Sequence, residues 1–150
     1  MSPSEPRIHI DEETYPDAPV RLVESAVRHT LATGGAGDAE ISVALLPDED
    51  MRRLNHEYLG RDRTTDVIAF SLSGGDDTIV GDVYVGCEQA ERQAEEMDVP
   101  LTEELVRLVI HGTLHVLGHD HPEGPERVDS PMFRLQEELV RQVLEDSKTL

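Results

Sequence analysis

The sequence predicts an α+β domain of four short strands and about five helices, and three observations carry the prediction. The chain has 150 residues, enough for one hydrophobic core and too few for two. Segments of period two and of period 3.6 share its length, divided by Gly and Pro. One helical segment is apolar on nearly every side, which marks an interior helix with the others packed around it.

Taken in order, Arg7-Ile8-His9-Ile10-Asp11 alternates polar and apolar and reads as a strand. Val20 to Thr33 is a helix, because Leu22, Val23, Ala26, Val27, Thr30 and Leu31 recur at helical spacing and Gly34-Gly35 stops it. Glu40 to Leu46 is rich in β-formers and reads as a second strand. Pro47 opens a helix that runs to about Tyr58 and ends at Gly60. Thr65 to Leu72 and Thr78 to Val85 are two strands joined by a Ser73-to-Asp77 turn, which suits a hairpin. Cys87 to Met97 is a polar helix, and after Pro100 a long helix runs from about Thr102 to Leu117. His119 to Asp129 is a loop. Ser130-Pro131 then caps a last helix with Met132, Leu135, Leu139, Val140, Val143 and Leu144 on one face.

The net charge is -19, from 32 acidic and 13 basic residues. A phosphate-backbone binder is ordinarily basic, so a nucleic-acid role has to work against the global field. Adaptation to a salty cytoplasm, where screening shortens that field to a few ångströms at about 1 M salt, is one reading of the acidity; a solvated, soluble surface is the other. Aromatics are scarce, which argues against an open stacking surface. The single cysteine, Cys87, excludes an intramolecular disulfide. No apolar run reaches membrane-spanning length, and Met1 to Asp11 does not resemble a secretory signal. A cytoplasmic location is expected.

The informative stretch is Leu105 to His121, LVRLVIHGTLHVLGHDH. The titratable residues in its helical part are Arg107 near the start and the stripe holding His111 and His115. Two histidines at i and i+4 share one face and can reach one cation. Gly118 can take a left-handed conformation and turn the chain back, so that His121 approaches the same point. Three imidazoles leave the fourth position of one Zn²⁺ to water, the arrangement of hydrolytic zinc sites. Cys87 is a less favoured candidate for a fourth ligand. The spacing matches the extended metalloprotease motif, H-E-x-x-H-x-x-G-x-x-H, but Gly112 stands where that motif has its glutamate base.

His111-Gly-Thr-Leu-His115-Val-Leu-Gly118-His-Asp120-His121 resembles the signature of the YbeY family. Upstream, Leu54-Asn55-His-Glu-Tyr58, Asp62-Arg63-Thr64-Thr65-Asp66-Val67-Ile68-Ala69-Phe70 and Gly81-Asp82-Val83 are similar to further family motifs, in the right order. The resemblance implies a small mixed four-stranded sheet with the histidine helix central. It implies a zinc-dependent, single-strand-specific endoribonuclease that matures the 3′ end of small-subunit rRNA, serves ribosome quality control and works with the ribosome or its proteins. Two positions depart from the family: Leu59 replaces the arginine that follows the Tyr, and His119 replaces a Tyr.

The expected site is therefore His111, His115 and His121 as metal ligands. Asp120 is expected to orient an imidazole, act as a base or cap the turn. Arg61 and Arg63 are candidates for phosphate contacts, since guanidinium matches phosphate bidentately. Asn55 and Asp66 read as structural, Asp82 as fixing a turn, and His56 and His119 as exposed. Two alternatives stand beside the ribonuclease: a non-catalytic, zinc-stabilised ribosome-assembly factor, and a peptidase-like zinc hydrolase.

Overall fold

The computed structural model describes residues 5–34, 38–60, 65–72, 78–121 and 125–148. Four strands form one sheet: β1 (Arg7–Asp11), β2 (Ala39–Leu46), β3 (Val67–Ser71) and β4 (Ile79–Gly86). The order across the sheet is β1-β2-β4-β3. β1 pairs parallel to β2 and β2 parallel to β4, while β3 and β4 pair antiparallel, so the sheet is mixed. Five helices accompany it: α1 (Val20–Thr33), α2 (Asp48–Leu59), α3 (Cys87–Met97), α4 (Leu101–Val116) and α5 (Pro131–Ser147).

Strand alternation decides the two faces. Ile41, Val43 and Leu45 of β2 and Val83 and Val85 of β4 are buried on one side, against α1 and α4. Ile68, Phe70 and Tyr84 point to the other side, where Tyr58 of α2 meets Phe70 edge-on with ring centroids 5.2 Å apart. The parallel β1–β2 and β2–β4 pairs need crossovers, and α1 and α2 lie in those connections.

Helix α4 is the hub. It packs against α1, α3, α5, β3 and β4. Leu105, Val109, Ile110 and Leu114 are fully buried, each contributing about 1.5–3 kcal/mol by area bookkeeping. Two glycines let the helix sit this close to the sheet. A Cβ on Gly81 of β4 would lie 2.5 Å from Val116 Cγ1, and one on Gly112 of α4 would lie 2.5 Å from Val83 Cγ1. Gly81 and Asp82 are thus interior to β4 and not the turn expected of them; the glycine there answers to helix packing. Asp82 instead accepts a long hydrogen bond from the Tyr84 hydroxyl, 3.5 Å away.

A 3-10 turn at Pro125–Asp129 lies within the segment expected to be a loop. The next helix begins as expected: Ser130 Oγ accepts from the Phe133 amide at 3.2 Å, and Pro131 takes the first helical position. Among the described residues, no helix is long and apolar enough to cross a membrane.

Candidate metal centre

The last turn of α4 carries the site. His111 and His115 are one turn apart on the stripe of the helix that is not packed into the core, and both are half-buried. Beyond them the helix ends in a Schellman motif. The His119 amide donates to the Leu114 carbonyl at 3.0 Å, and the Gly118 amide donates to His115 at 3.0 Å. Gly118 takes φ +100°, a left-handed value that a side chain would strain. This reversal brings His121 back over the helix end. Its ring centroid lies 5.2 Å from that of His111 and 5.3 Å from that of His115. One ligand atom from each of the three residues falls within 4.8 Å of the others.

The hydrogen bonds fix which ring nitrogen faces inward. Gln136 of α5, 5% exposed, places Oε1 2.7 Å from His111 Nδ1. Its amide orientation is set in turn, because Nε2 donates to Glu137 Oε2 at 3.0 Å. Oε1 must then accept, so His111 Nδ1 carries the proton and Nε2 keeps its lone pair. The His119 backbone favours a proton on the His115 ring, and the nitrogen that His115 turns toward His111 is Nε2.

His111 Nε2 and His115 Nε2 stand 3.1 Å apart. Two lone pairs at that distance repel unless a positive centre joins them. Nitrogens on one tetrahedral zinc at about 2.0–2.1 Å stand roughly 3.3–3.4 Å apart, so the donor set fits such a cation. Burial lowers the pKa of both His111 and His115 and outweighs the hydrogen bonds that favour protonation; the neighbouring histidines lower it further. Both rings are held neutral and ready to donate lone pairs.

Behind the site runs a polar network. Arg107 of α4 spends its guanidinium on Glu137 through Nε at 3.0 Å, on Glu104 at 2.9 Å and on Glu103 at 3.0 Å. Glu104 is 2% exposed and also accepts from Gln93 at 2.7 Å. Burial works against the charge on Glu137, but hydrogen bonds from Arg107 and Gln136 prevail and hold it below the usual carboxylate range. The network locks the amide that locks His111, the usual relation between outer-shell groups and metal ligands.

The other expected site residues fall as follows. Asp120 is exposed and its Oδ1 accepts from the His121 amide at 2.8 Å, bracing the turn that presents His121. Its charge also favours protonation of His115. Arg61 and Arg63 lie outside the described residues. Asp66 Oδ1 accepts from the Val67 amide at 2.8 Å at the entry to β3, and its charge bears on His111. Asn55 is buried and His56 exposed. His119 is half-buried and not exposed, since its amide is drawn into the helix cap.

Cys87 is not part of the histidine cluster. It is the first residue of α3, buried in the core, and desolvation pushes its thiol up to about 12. That environment suppresses the thiolate that a metal ligand requires, so the fourth-ligand alternative fails.

Gln136 was missed from sequence. Its signal was faint: a polar residue on the Met132–Leu139–Val140–Val143 stripe of α5, where an apolar one belongs.

A family model described as Endoribonuclease YbeY matches residues 5–144. The chain belongs to the YbeY family. An Endoribonuclease YbeY of Syntrophotalea carbinolica is 34% identical over 132 residues, covering 85% of this chain and 88% of the relative. One from Aquifex aeolicus is 38% identical over 120 residues, covering 79% of each. The solution structure of a Thermotoga maritima protein superposes with a TM-score of 0.65 at 29% identity, covering 97% of this chain and 93% of its own. The YbeY motifs read from the sequence thus sit where the fold assembles them: the α2 end, the β3 entry, β4 and the α4 turn.

Proposed function

We propose that this YbeY-family chain is a zinc-dependent endoribonuclease that cuts single-stranded RNA in the cytoplasm, with small-subunit rRNA near its 3′ end as substrate and the ribosome as its working partner. The activity is the one its relatives are named for. The observation that carries the metal reading is the meeting of His111 Nε2 and His115 Nε2 at 3.1 Å, with His121 beside them. Zn²⁺ held there would supply Lewis-acid activation of a scissile phosphodiester and a nucleophile at neutral pH.

The chain's own residues then have separate tasks. Gln136 fixes the His111 tautomer. Asp120 braces the turn that brings in His121. Arg61 and Arg63 are proposed to contact substrate phosphate and offset developing charge. The motif's glutamate base has no counterpart at Gly112, where even a Cβ would collide with Val83, so the peptidase-like alternative is disfavoured.

The test is elemental analysis of untagged wild type and His115→Ala, followed by RNA cleavage. About one zinc per chain, lost in the variant together with cleavage of single-stranded RNA, supports the reading. Wild type that takes up no zinc, or cleavage that survives His115→Ala, overturns it. End-group analysis of the products separates attack by water from attack by the ribose 2′-hydroxyl, which leaves a 2′,3′-cyclic phosphate.

A further inference from the structure

Beside the metal centre lies a cavity of about 330 Å³ with His111 in its wall. That volume is at the lower end of the roughly 300–1,000 Å³ typical of small-ligand clefts and suits a single nucleotide unit. Arg127 and Phe133 line it too, and they are not incidental neighbours. Ser130 Oγ donates to the Arg127 carbonyl at 2.7 Å and accepts from the Phe133 amide at 3.2 Å. One helix cap therefore fixes the backbone of a cation and of a ring, both directed at the same space.

The two ends of the cavity differ in chemistry. At its floor, Arg107 is committed to Glu103, Glu104 and Glu137, so the carboxylates outnumber the guanidinium. Asp66 adds another carboxylate to the wall. A phosphate is repelled there, but a neutral ring carrying N–H donors is not. At the rim, Arg127 is exposed, and none of the described carboxylates pairs with it. Most other described arginines are engaged: Arg7, Arg28, Arg53, Arg92 and Arg141 all have acidic partners.

We infer that the cavity beside His111 is a nucleobase pocket, with Phe133 as its stacking wall, Arg127 holding the adjoining phosphate at the rim, and an acceptor-rich floor that selects amino-bearing bases over uracil. Adenine, cytosine and guanine present exocyclic N–H groups to the floor. Uracil presents two carbonyl oxygens with one N–H between them, and those oxygens face carboxylates. One ring inside a cavity also reconciles base stacking with a chain so poor in aromatics. The inference rests on the ribonuclease reading for its place beside the reacting phosphate.

The experiment is ligand-observed NMR titration of the zinc-loaded full-length protein with AMP, CMP, UMP and ribose 5-phosphate, none of which has a bond for the enzyme to cut. AMP and CMP are expected to bind at least about 5-fold more tightly than ribose 5-phosphate, the lower bound for one stacked base, and more tightly than UMP, whose carbonyl oxygens face the floor carboxylates. Phe133→Leu is expected to erase the advantage of the nucleotides over ribose 5-phosphate, and Arg127→Gln to weaken all four ligands with zinc content unchanged. The Arg127 variant lies on an exposed turn and keeps the test open should Phe133→Leu fail to fold. Equal binding of CMP, UMP and ribose 5-phosphate to wild type overturns the pocket, as does an Arg127→Gln protein that binds all four like wild type. RNA cleavage measured in parallel separates the failures. Cleavage without base preference sinks the pocket alone, whereas base-selective binding without cleavage sinks the ribonuclease reading and leaves a nucleotide site.

Discussion

Replacing Gln136 with Leu isolates the tautomer lock from the metal ligands themselves. The substitution keeps approximate volume at a position 5% exposed and removes the 2.7 Å acceptor of His111 Nδ1. Two responses are open to the ring. It can keep its Nδ1 proton, now buried and unpaired, at a cost of about 1–3 kcal/mol. Otherwise it moves the proton to Nε2, which then points at His115 Nε2 3.1 Å away and cannot ligate. Loss of an outer-shell partner usually weakens metal affinity about 10–100-fold, or roughly 1.4–2.7 kcal/mol, so the two routes agree in size. Zinc competition against a chromogenic chelator measures it directly, with denaturant unfolding of the metal-free protein as control. Gln136→Glu restores an acceptor oxygen and should recover zinc affinity, while the metal-free fold weakens because a second carboxylate now abuts Glu137. A folded Gln136→Leu protein whose zinc affinity stays within about twofold of wild type would refute the reasoning.

Three further outcomes are expected. Gly112→Ala sets a Cβ 2.5 Å from Val83 Cγ1; overpacking costs about 1–3 kcal/mol, a fall of roughly 3–10 °C in Tm by calorimetry, partly recovered by adding Val83→Ala. In metal-free protein, the folded-state pKa values of His111 and His115 lie below 6.5, so the unfolded chain takes up protons first on acidification. The stability they contribute is complete above pH 6.5 and is lost as pH falls from there toward their folded values; urea midpoints at pH 7.5 and 5.5 should differ more in wild type than in His111→Gln/His115→Gln. Finally, with a net charge of -19, self-repulsion should be relieved by screening, and the urea midpoint should rise between low salt and molar KCl; an unchanged midpoint removes the salt-adaptation reading.

What the sequence disclosed was what rests on local rules. Helix α4 and its end were readable because Gly118 is where a left-handed residue is needed and because His111, His115 and His121 keep the spacing of a turn that folds back. Ser130-Pro131 was readable as a cap for the same reason. Long-range reasons were hidden. Asp82 after Gly81 looked like the residue of a turn, although both lie within β4 and Gly81 is a strand residue thinned to admit Val116. Cys87 looked like a spare ligand, although the packing of α3 on α4 buries it in the core. Gln136 lies 25 residues from the histidine it orients, and Arg127 and Phe133 acquire a common purpose only when α5 docks beside α4. No periodicity reports such pairings.

Gly112 ties the packing of the fold to its chemistry. In the protease motif the position after the first histidine carries a carboxylate base, which suits a neutral peptide substrate. Here that position is pressed onto β4, with a would-be Cβ also 3.1 Å from Val67 Cγ2 of β3, so α4 can be central only if the side chain is absent. The loss is coherent with an anionic substrate. A carboxylate about 4 Å from an incoming phosphodiester would repel it by about 4 kcal/mol at an effective dielectric of 20, enough to cancel much of what a cation contributes. Of the carboxylates near the site, Asp66 at the β3 entry and Asp120 in the turn are each tied to a backbone amide, and Glu104 and Glu137 to Arg107, which draws part of their charge away from the reacting position. The contact that makes the histidine helix the centre of the core therefore also excludes a carboxylate at the position where the protease motif carries its base.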